Sequence, residues 1–337
     1  MSKKSNNWLR NLLNWLPGIL ISALAIFVLS RFVNFTDLSN AMSHLNVGSI
    51  LIIIILFIIS LFTRGLAWRE MLAHKASMSD SFFGVVIGYM LNNIIPWSGE
   101  FGKAILLGAS TGFGTLYVLS TVIIERALDL AIAAGMFLST LPFVLKMDWL
   151  RPIAILMILI VLSALIVLLV MANNKVKVHA WVTEMGGKNQ WIKKYILPGL
   201  DSLLNGFGIL TNPKRFIISF FWILSSWFCW ILLFYTALIS IVPNAPFWWA
   251  IFCEAVLAMG IALPSAPASL GVYEGTLVVA LSIFGIAQSS SLGIALILHL
   301  IQIVITFIFG IIGLFKGGWS LNKLIKQMSV KNLPEKE

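Results

Sequence analysis

Asn92-Asn-Ile-Ile-Pro-Trp-Ser-Gly-Glu100-Phe-Gly-Lys103 interrupts an otherwise apolar region and cannot carry a membrane helix straight through itself. Proline removes a backbone donor, glycine loosens the chain, and a carboxylate and an ammonium follow within a turn. Backbone groups freed by such a break cost several kcal/mol each when they face hydrocarbon, so the stretch is expected to be buried in protein or to line a wet cavity. Leu263-Pro-Ser-Ala-Pro-Ala-Ser-Leu-Gly-Val-Tyr-Glu274-Gly repeats the device late in the chain. Two Gly/Pro-interrupted segments at matching places in two halves are the usual sequence pointer to a transport site.

Outward from these breaks the chain is almost uniformly apolar. Of its 337 residues 59% are hydrophobic and 11% charged, with a mean hydropathy of +0.97, which excludes an ordinary soluble domain and predicts an all-α polytopic membrane protein forming a single membrane domain over 1–337. Runs long enough to span fall near residues 16–33, 50–70, 117–141, 152–172, 216–241 and 291–315. The first is longer than a signal-peptide core and reads as a retained helix. Between the runs lie two broken regions, 82–108 and 247–286, expected to be re-entrant hairpins. Cys229 and Cys253 both sit in apolar runs and read as packing residues, with neither a disulfide framework nor a metal-binding pair.

Charge sets the expected orientation. Lys3, Lys4 and Arg10 hold the N-terminus in the cytoplasm, the basic loop 173–215 falls on the same side, and Lys316, Lys323 and Lys326 bring the C-terminus there too. The net charge of +10 therefore fits an anionic leaflet rather than nucleic acid. This layout makes the first hairpin enter from inside and the second from outside, so that 50–145 and 216–315 become inverted repeats. Within the basic loop, apolar residues at 196, 200, 203, 204, 207 and 210 share one helical face. That segment reads as a helix lying in the interface beside Trp191, Lys193 and Lys194; a helix docked on protein is the other reading.

The polar residues inside the apolar runs are the candidate site. Glu125-Arg126-Ala-Leu-Asp129 lies in the third span, where ionised groups are costly and face a partner or water. Arg126 and Asp129 share a face. Arginine's planar fork suits a lipid phosphate, with Glu125 or Asp129 positioning it or carrying a proton; a cluster that only pins helices together is the plainer reading. In the first hairpin Asn93 precedes the break at Pro96, and Gly99, Glu100 and Lys103 open the outgoing half-helix, whose free N–H groups would attract an anion. Glu100 either caps that helix or pairs with Lys103. In the second hairpin Pro264 and Pro267 mark the break, Ser265 and Ser269 are candidate caps, and Gly271 permits close approach. Glu274 is preferred over Glu254 as the functional carboxylate, against a capping role. His299, opposite Gln302, is either proton-responsive or a satisfied interhelical histidine. Arg64 is expected to snorkel.

No P-loop, H-E-x-x-H motif or clustered metal ligands occur, so the chain is expected not to be an enzyme and to need no cofactor or metal. Asn93-x-x-Pro96-x-x-Gly99-Glu100-x-x-Lys103, Glu125-Arg126-x-x-Asp129 and Pro264-x-x-Pro267-x-x-x-Gly271-x-x-Glu274-Gly, in this order, resemble the flippase-like membrane family that includes the transmembrane region of bacterial lysylphosphatidylglycerol synthases. The resemblance implies a prokaryotic cytoplasmic-membrane protein that moves a lipid with an anionic or phosphate-bearing head group between leaflets. Lys103 and His299 stand where many relatives look arginine-bearing, so head-group specificity does not carry over. Without the soluble aminoacyltransferase domain of the lysyl-lipid synthases, the chain is expected to be a stand-alone translocator, with a homo-oligomer and a separate lipid-modifying enzyme as candidate partners. An ion-coupled carrier of a small anionic solute is the alternative, and a membrane-embedded transferase a weaker one.

Overall fold

The computed structural model describes residues 45–144, 150–188, 197–262, 265–321 and 324; the first expected span, 16–33, the charged tails, Trp191, Lys193, Lys194 and Pro264 lie outside them. Eleven α-helices are described. Four are long and apolar enough to cross a membrane: α1 (Val47–Met71), α4 (Thr115–Val144), α8 (Pro213–Ile241) and α11 (Gln288–Lys316). They match the expected runs near 50–70, 117–141, 216–241 and 291–315 to within three residues at each end. Less than half of each apolar window is buried, and Leu51, Ile55, Phe62, Ile308 and Ile311 point outward. Faces of that kind belong in hydrocarbon, so the protein is a helical membrane protein.

Local chemistry sets the helix starts. The Asn46 side chain accepts from Ser49 N–H at 2.8 Å to cap α1, and Asn212 accepts from Arg215 N–H at 3.2 Å to cap α8, with Pro213 in its first turn. α1 and α8 form the most extensively packed pair among the described helices. Ser49 meets Ser240, Phe57 packs edge-on to Trp230, and Ser226 Oγ donates to Ser60 O at 3.1 Å, a register that runs the two helices antiparallel. Small residues with interhelical hydrogen bonds let such backbones approach closely in a membrane.

The two broken regions each contribute two shorter helices. In the first, α2 (Met78–Ile94) and α3 (Ser98–Thr111) flank a break at 95–97, where Trp97 takes a left-handed φ of 66°. In the second, α9 (Phe247–Gly260) and α10 (Val272–Ser282) flank a longer break that includes a 3-10 turn at Pro267–Ser269. At 1.5 Å per residue these arms run about 16–26 Å, short of a bilayer core of roughly 30 Å. The α2–α3 contact depends on Gly99, where an added Cβ would collide with Gly88 O and meet the Asn92 amide.

The order of packing is reciprocal. α1 packs on α2, α2 on α3 and α3 on α4; α8 packs on α9, α9 on α10 and α10 on α11. Across the molecule α4 packs on α9 while α11 packs on α2. The α11–α2 seam is tight because Gly310 faces Met90 and Gly313 faces Phe83.

α5 (Leu150–Asn173) covers the run expected at 152–172, and α6 (Lys175–Lys188), in the stretch read as a loop, turns by 93° from it. α7 (Leu197–Gly206) continues into a 3-10 turn at Phe207–Thr211. The apolar face expected in the interface is turned onto protein instead. Leu200, Leu204, Phe207 and Ile209 are buried with Ile124 and Leu128 of α4, and Gly206 sits against Ser120. Protein offers that face tighter packing than a lipid surface does.

Candidate functional site

Five helices bring their polar residues to one place. Glu125, Arg126 and Asp129 come from α4, Glu100 and Lys103 from the first turns of α3, Asn92 from the end of α2, Arg64 and Trp68 from α1, and Trp227 from α8. Three cations and three anions balance there. Glu125, 1% exposed, accepts from Lys103 Nζ at 2.5 Å and from Trp68 Nε1 at 2.9 Å, with Arg64 Nη1 at 3.5 Å. Asp129 accepts from Arg64 Nη1 at 2.7 Å and Trp227 Nε1 at 2.9 Å. Lys103 Nζ also lies 4.3 Å from the centre of the Trp68 ring. A buried charge set of this kind persists only when its members are paired and hydrogen-bonded.

Arg126 is the exception. Its side chain is 44% exposed, and its nearest carboxylate oxygens stand at 3.5 Å on Asp129, 3.7 Å on Glu125 and 3.8 Å on Glu100. These are long for charge-assisted hydrogen bonds, which run about 2.7–2.9 Å. The guanidinium is held by charge from three sides and bonded tightly from none. Two buried atoms of the cluster, Arg64 Nε and Glu100 Oε2, have no hydrogen-bond partner.

Three expectations are corrected by this geometry. Arg64 does not snorkel: it is 4% exposed because Asp129 and Glu125 draw it inward. Lys103 pairs with Glu125 rather than with Glu100, which reaches toward Arg126 and accepts from Asn92 Nδ2 at 3.4 Å. The N-terminus of α3 is already partly satisfied, since Gly99 N–H donates to Asn92 Oδ1 at 2.7 Å and Ser98 N–H to Ile95 O at 3.1 Å. Trp68, Trp227 and Asn92 were not anticipated as partners. The spacing of Arg64 and Trp68, four apart on one helix face, matches that of Glu125 and Asp129 and is the signal that reveals the pairing.

A second polar cluster belongs to the other hairpin. Glu274 Oε2 accepts from Gly271 N–H at 2.7 Å, closing the start of α10, while Oε1 lies 2.6 Å from His299 Nδ1 of α11. Tyr273 stacks on the His299 ring at 4.2 Å and accepts from Gln302 Nε2 at 2.8 Å. Capping and interhelical bonding are thus done by one carboxylate. Ser265 and Ser269 do not cap α10; Ser265 Oγ donates to Ser269 Oγ at 3.1 Å within the break. Pro96 and Pro267 both lie at their breaks.

The hairpins touch. α2 packs against the Pro267–Ser269 turn, and Asn93 Nδ2 donates to Thr306 Oγ1 of α11 at 3.0 Å, two helical turns along from His299. Among the described residues no group of three or more His, Cys, Asp or Glu side chains is placed to hold a metal ion.

The architecture is that of a membrane-embedded helical protein whose two broken-helix hairpins converge with a charge-balanced cluster at the first of them. The match to known families makes that class specific: the model of the lysylphosphatidylglycerol synthase transmembrane region covers residues 15–310, and the chain belongs to that family of membrane domains, associated with lipid modification or translocation. No curated protein and no solved structure matches the chain.

Proposed function

We propose that this protein moves a phosphate-bearing lipid, a phospholipid or a polyprenyl-phosphate carrier, between the leaflets of a prokaryotic cytoplasmic membrane without chemically altering it. The observation that carries this reading is Arg126: a half-exposed guanidinium, loosely held by three carboxylates, beside the break of a hairpin. A head-group phosphate arriving there finds a planar fork that need not give up a tight bond to receive it. Arg64 and Lys103 are sealed by short bonds and keep the carboxylates in place. An open apolar depression lined by Ile58, Phe62, Phe82 and Phe83, with Lys316 among its lining residues, offers hydrocarbon-facing surface to a lipid tail.

The reciprocal packing of α4 on α9 and α11 on α2 supports inverted repeats, and transport by rocking one repeat against the other follows from such symmetry. In this reading both hairpins are re-entrant, both termini are cytoplasmic, and six helices span.

The test is leaflet exchange of head-group-labelled phospholipids and polyprenyl phosphates in liposomes containing the purified protein. Arg126→Lys keeps the charge and loses the fork, and at least about a tenfold drop in exchange is expected for the lost charge-assisted hydrogen bonding. No exchange of any such lipid by the wild-type protein would sink this reading in favour of a carrier for a small anionic solute.

A further inference from the structure

Glu254 lies in the middle of α9, is 4% exposed, and makes no hydrogen bond or ion pair with any described residue. Its helix neighbours Ala250, Phe252, Cys253, Ala255 and Leu257 are all buried. The groups facing it from each packed element supply no cation. On α9 the ionisable neighbour is Cys253, and from α10 it is Tyr273, which is also near Glu274. The charged residues of α4, Glu125, Arg126 and Asp129, are engaged in the first cluster, and on α8 Tyr235 donates to Ala245 O. His299 of α11 is held by Glu274. An isolated carboxylate in such surroundings is too costly to stay ionised and takes a proton instead. Glu274, preferred by sequence as the functional carboxylate, has both oxygens engaged; Glu254 has neither.

A strained stretch of backbone follows the same helix. Glu254 is six residues from the end of α9, about 9 Å along the helix. Beyond that end the break holds two successive non-glycine residues in the left-handed region, Ala268 at φ 55° and Ser269 at φ 53°. Such residues persist only where the surroundings over-determine them, and they cluster at elements that switch. Here the surroundings include the first hairpin, through α2.

We infer that Glu254 is a proton-binding site: it carries a neutral carboxyl while α9 is packed as it is here and gives up the proton when that packing loosens and water reaches it. Resting on the translocation reading above, this release links lipid movement to proton movement.

Dicyclohexylcarbodiimide, a lipid-soluble reagent that adds to protonated carboxyls, tests the site in the unaltered protein. Peptide mapping should find the adduct on Glu254, decreasing as pH rises, and not on Glu274. Labelling of other carboxyls with none on Glu254 overturns the inference. Infrared difference spectra across a pH step should show a carboxyl band that Glu254→Gln removes; a band unchanged in that variant also overturns it. Neither measurement requires lipid transport, so each can fail independently of the translocation reading. In liposomes an imposed proton gradient should change wild-type exchange severalfold and leave Glu254→Gln exchange unchanged by the gradient. Wild-type exchange indifferent to the gradient refutes the coupling.

Discussion

Replacing Glu125 by glutamine removes the charge on which the first cluster depends, and the structure sets the size of the effect. Lys103 has one hydrogen-bond partner, Glu125, and is about 5% exposed, so in Glu125→Gln its ammonium stays buried with only the more distant Glu100 to balance it. Removing one partner of a buried ion pair costs about 3–5 kcal/mol. The contact of Lys103 with the Trp68 ring is present before and after the change and leaves this difference as it is. A loss of about 3–5 kcal/mol follows, roughly two to three and a half powers of ten in the folding equilibrium. Lys103→Met is milder, because Glu125 keeps Trp68 Nε1 at 2.9 Å, Arg64 at 3.5 Å and Arg126 at 3.7 Å. About 1–2 kcal/mol is expected there. In Glu125→Gln/Lys103→Met the orphan charge is gone, and the pair should be more stable than Glu125→Gln alone. Denaturant unfolding in mixed micelles measures all three. If Glu125→Gln is no worse than Lys103→Met, or the two effects add within roughly 0.5 kcal/mol, Lys103 is not held by Glu125 as described.

Two smaller changes test how the hairpins are built. Gly99→Ala drives a methyl into Gly88 O and the Asn92 amide, 2.7–2.8 Å away, and should lower stability by about 1–3 kcal/mol in thermal unfolding, with Gly88→Ala, at 3.2 Å from Gly99 O, milder. Asn93→Ala breaks the bond to Thr306 and should cost about 1 kcal/mol; an Asn93→Ala protein as stable as wild type would show that this link between hairpin and final helix carries no weight.

What could be read from the sequence was local. Pro96 with Gly99, and Pro267 with Gly271, mark breaks that the backbone takes at those positions, because a missing donor and a left-handed φ act on neighbouring residues alone. The long helices begin within a few residues of the apolar runs, since Asn46 and Asn212 cap them where hydrophobicity begins. The members of the polar site were legible one by one, but their partners were not. Arg64 is 65 residues from Asp129, Trp68 is 57 from Glu125, and Asn93 is 213 from Thr306. Helical periodicity says which residues share a face; it does not say which helix that face meets. Arg64 was therefore read by its depth in the run, as a side chain reaching for water, when the carboxylates of α4 had made a destination inside. Sequence also shows Glu274 beside a glycine break, but not that one of its oxygens takes Gly271 N–H and the other meets His299, 25 residues away.

The exchange of final helices between the halves has a mechanical consequence. α4 closes the first half yet leans on the incoming arm of the second hairpin, and α11 does the reverse. A tilt of either half therefore drags the other half's hairpin with it, as two interlocked levers share one fulcrum, here the antiparallel α1–α8 pair. Under the translocation reading proposed above, neither hairpin can move alone, and a shift at one leaflet is felt at the other.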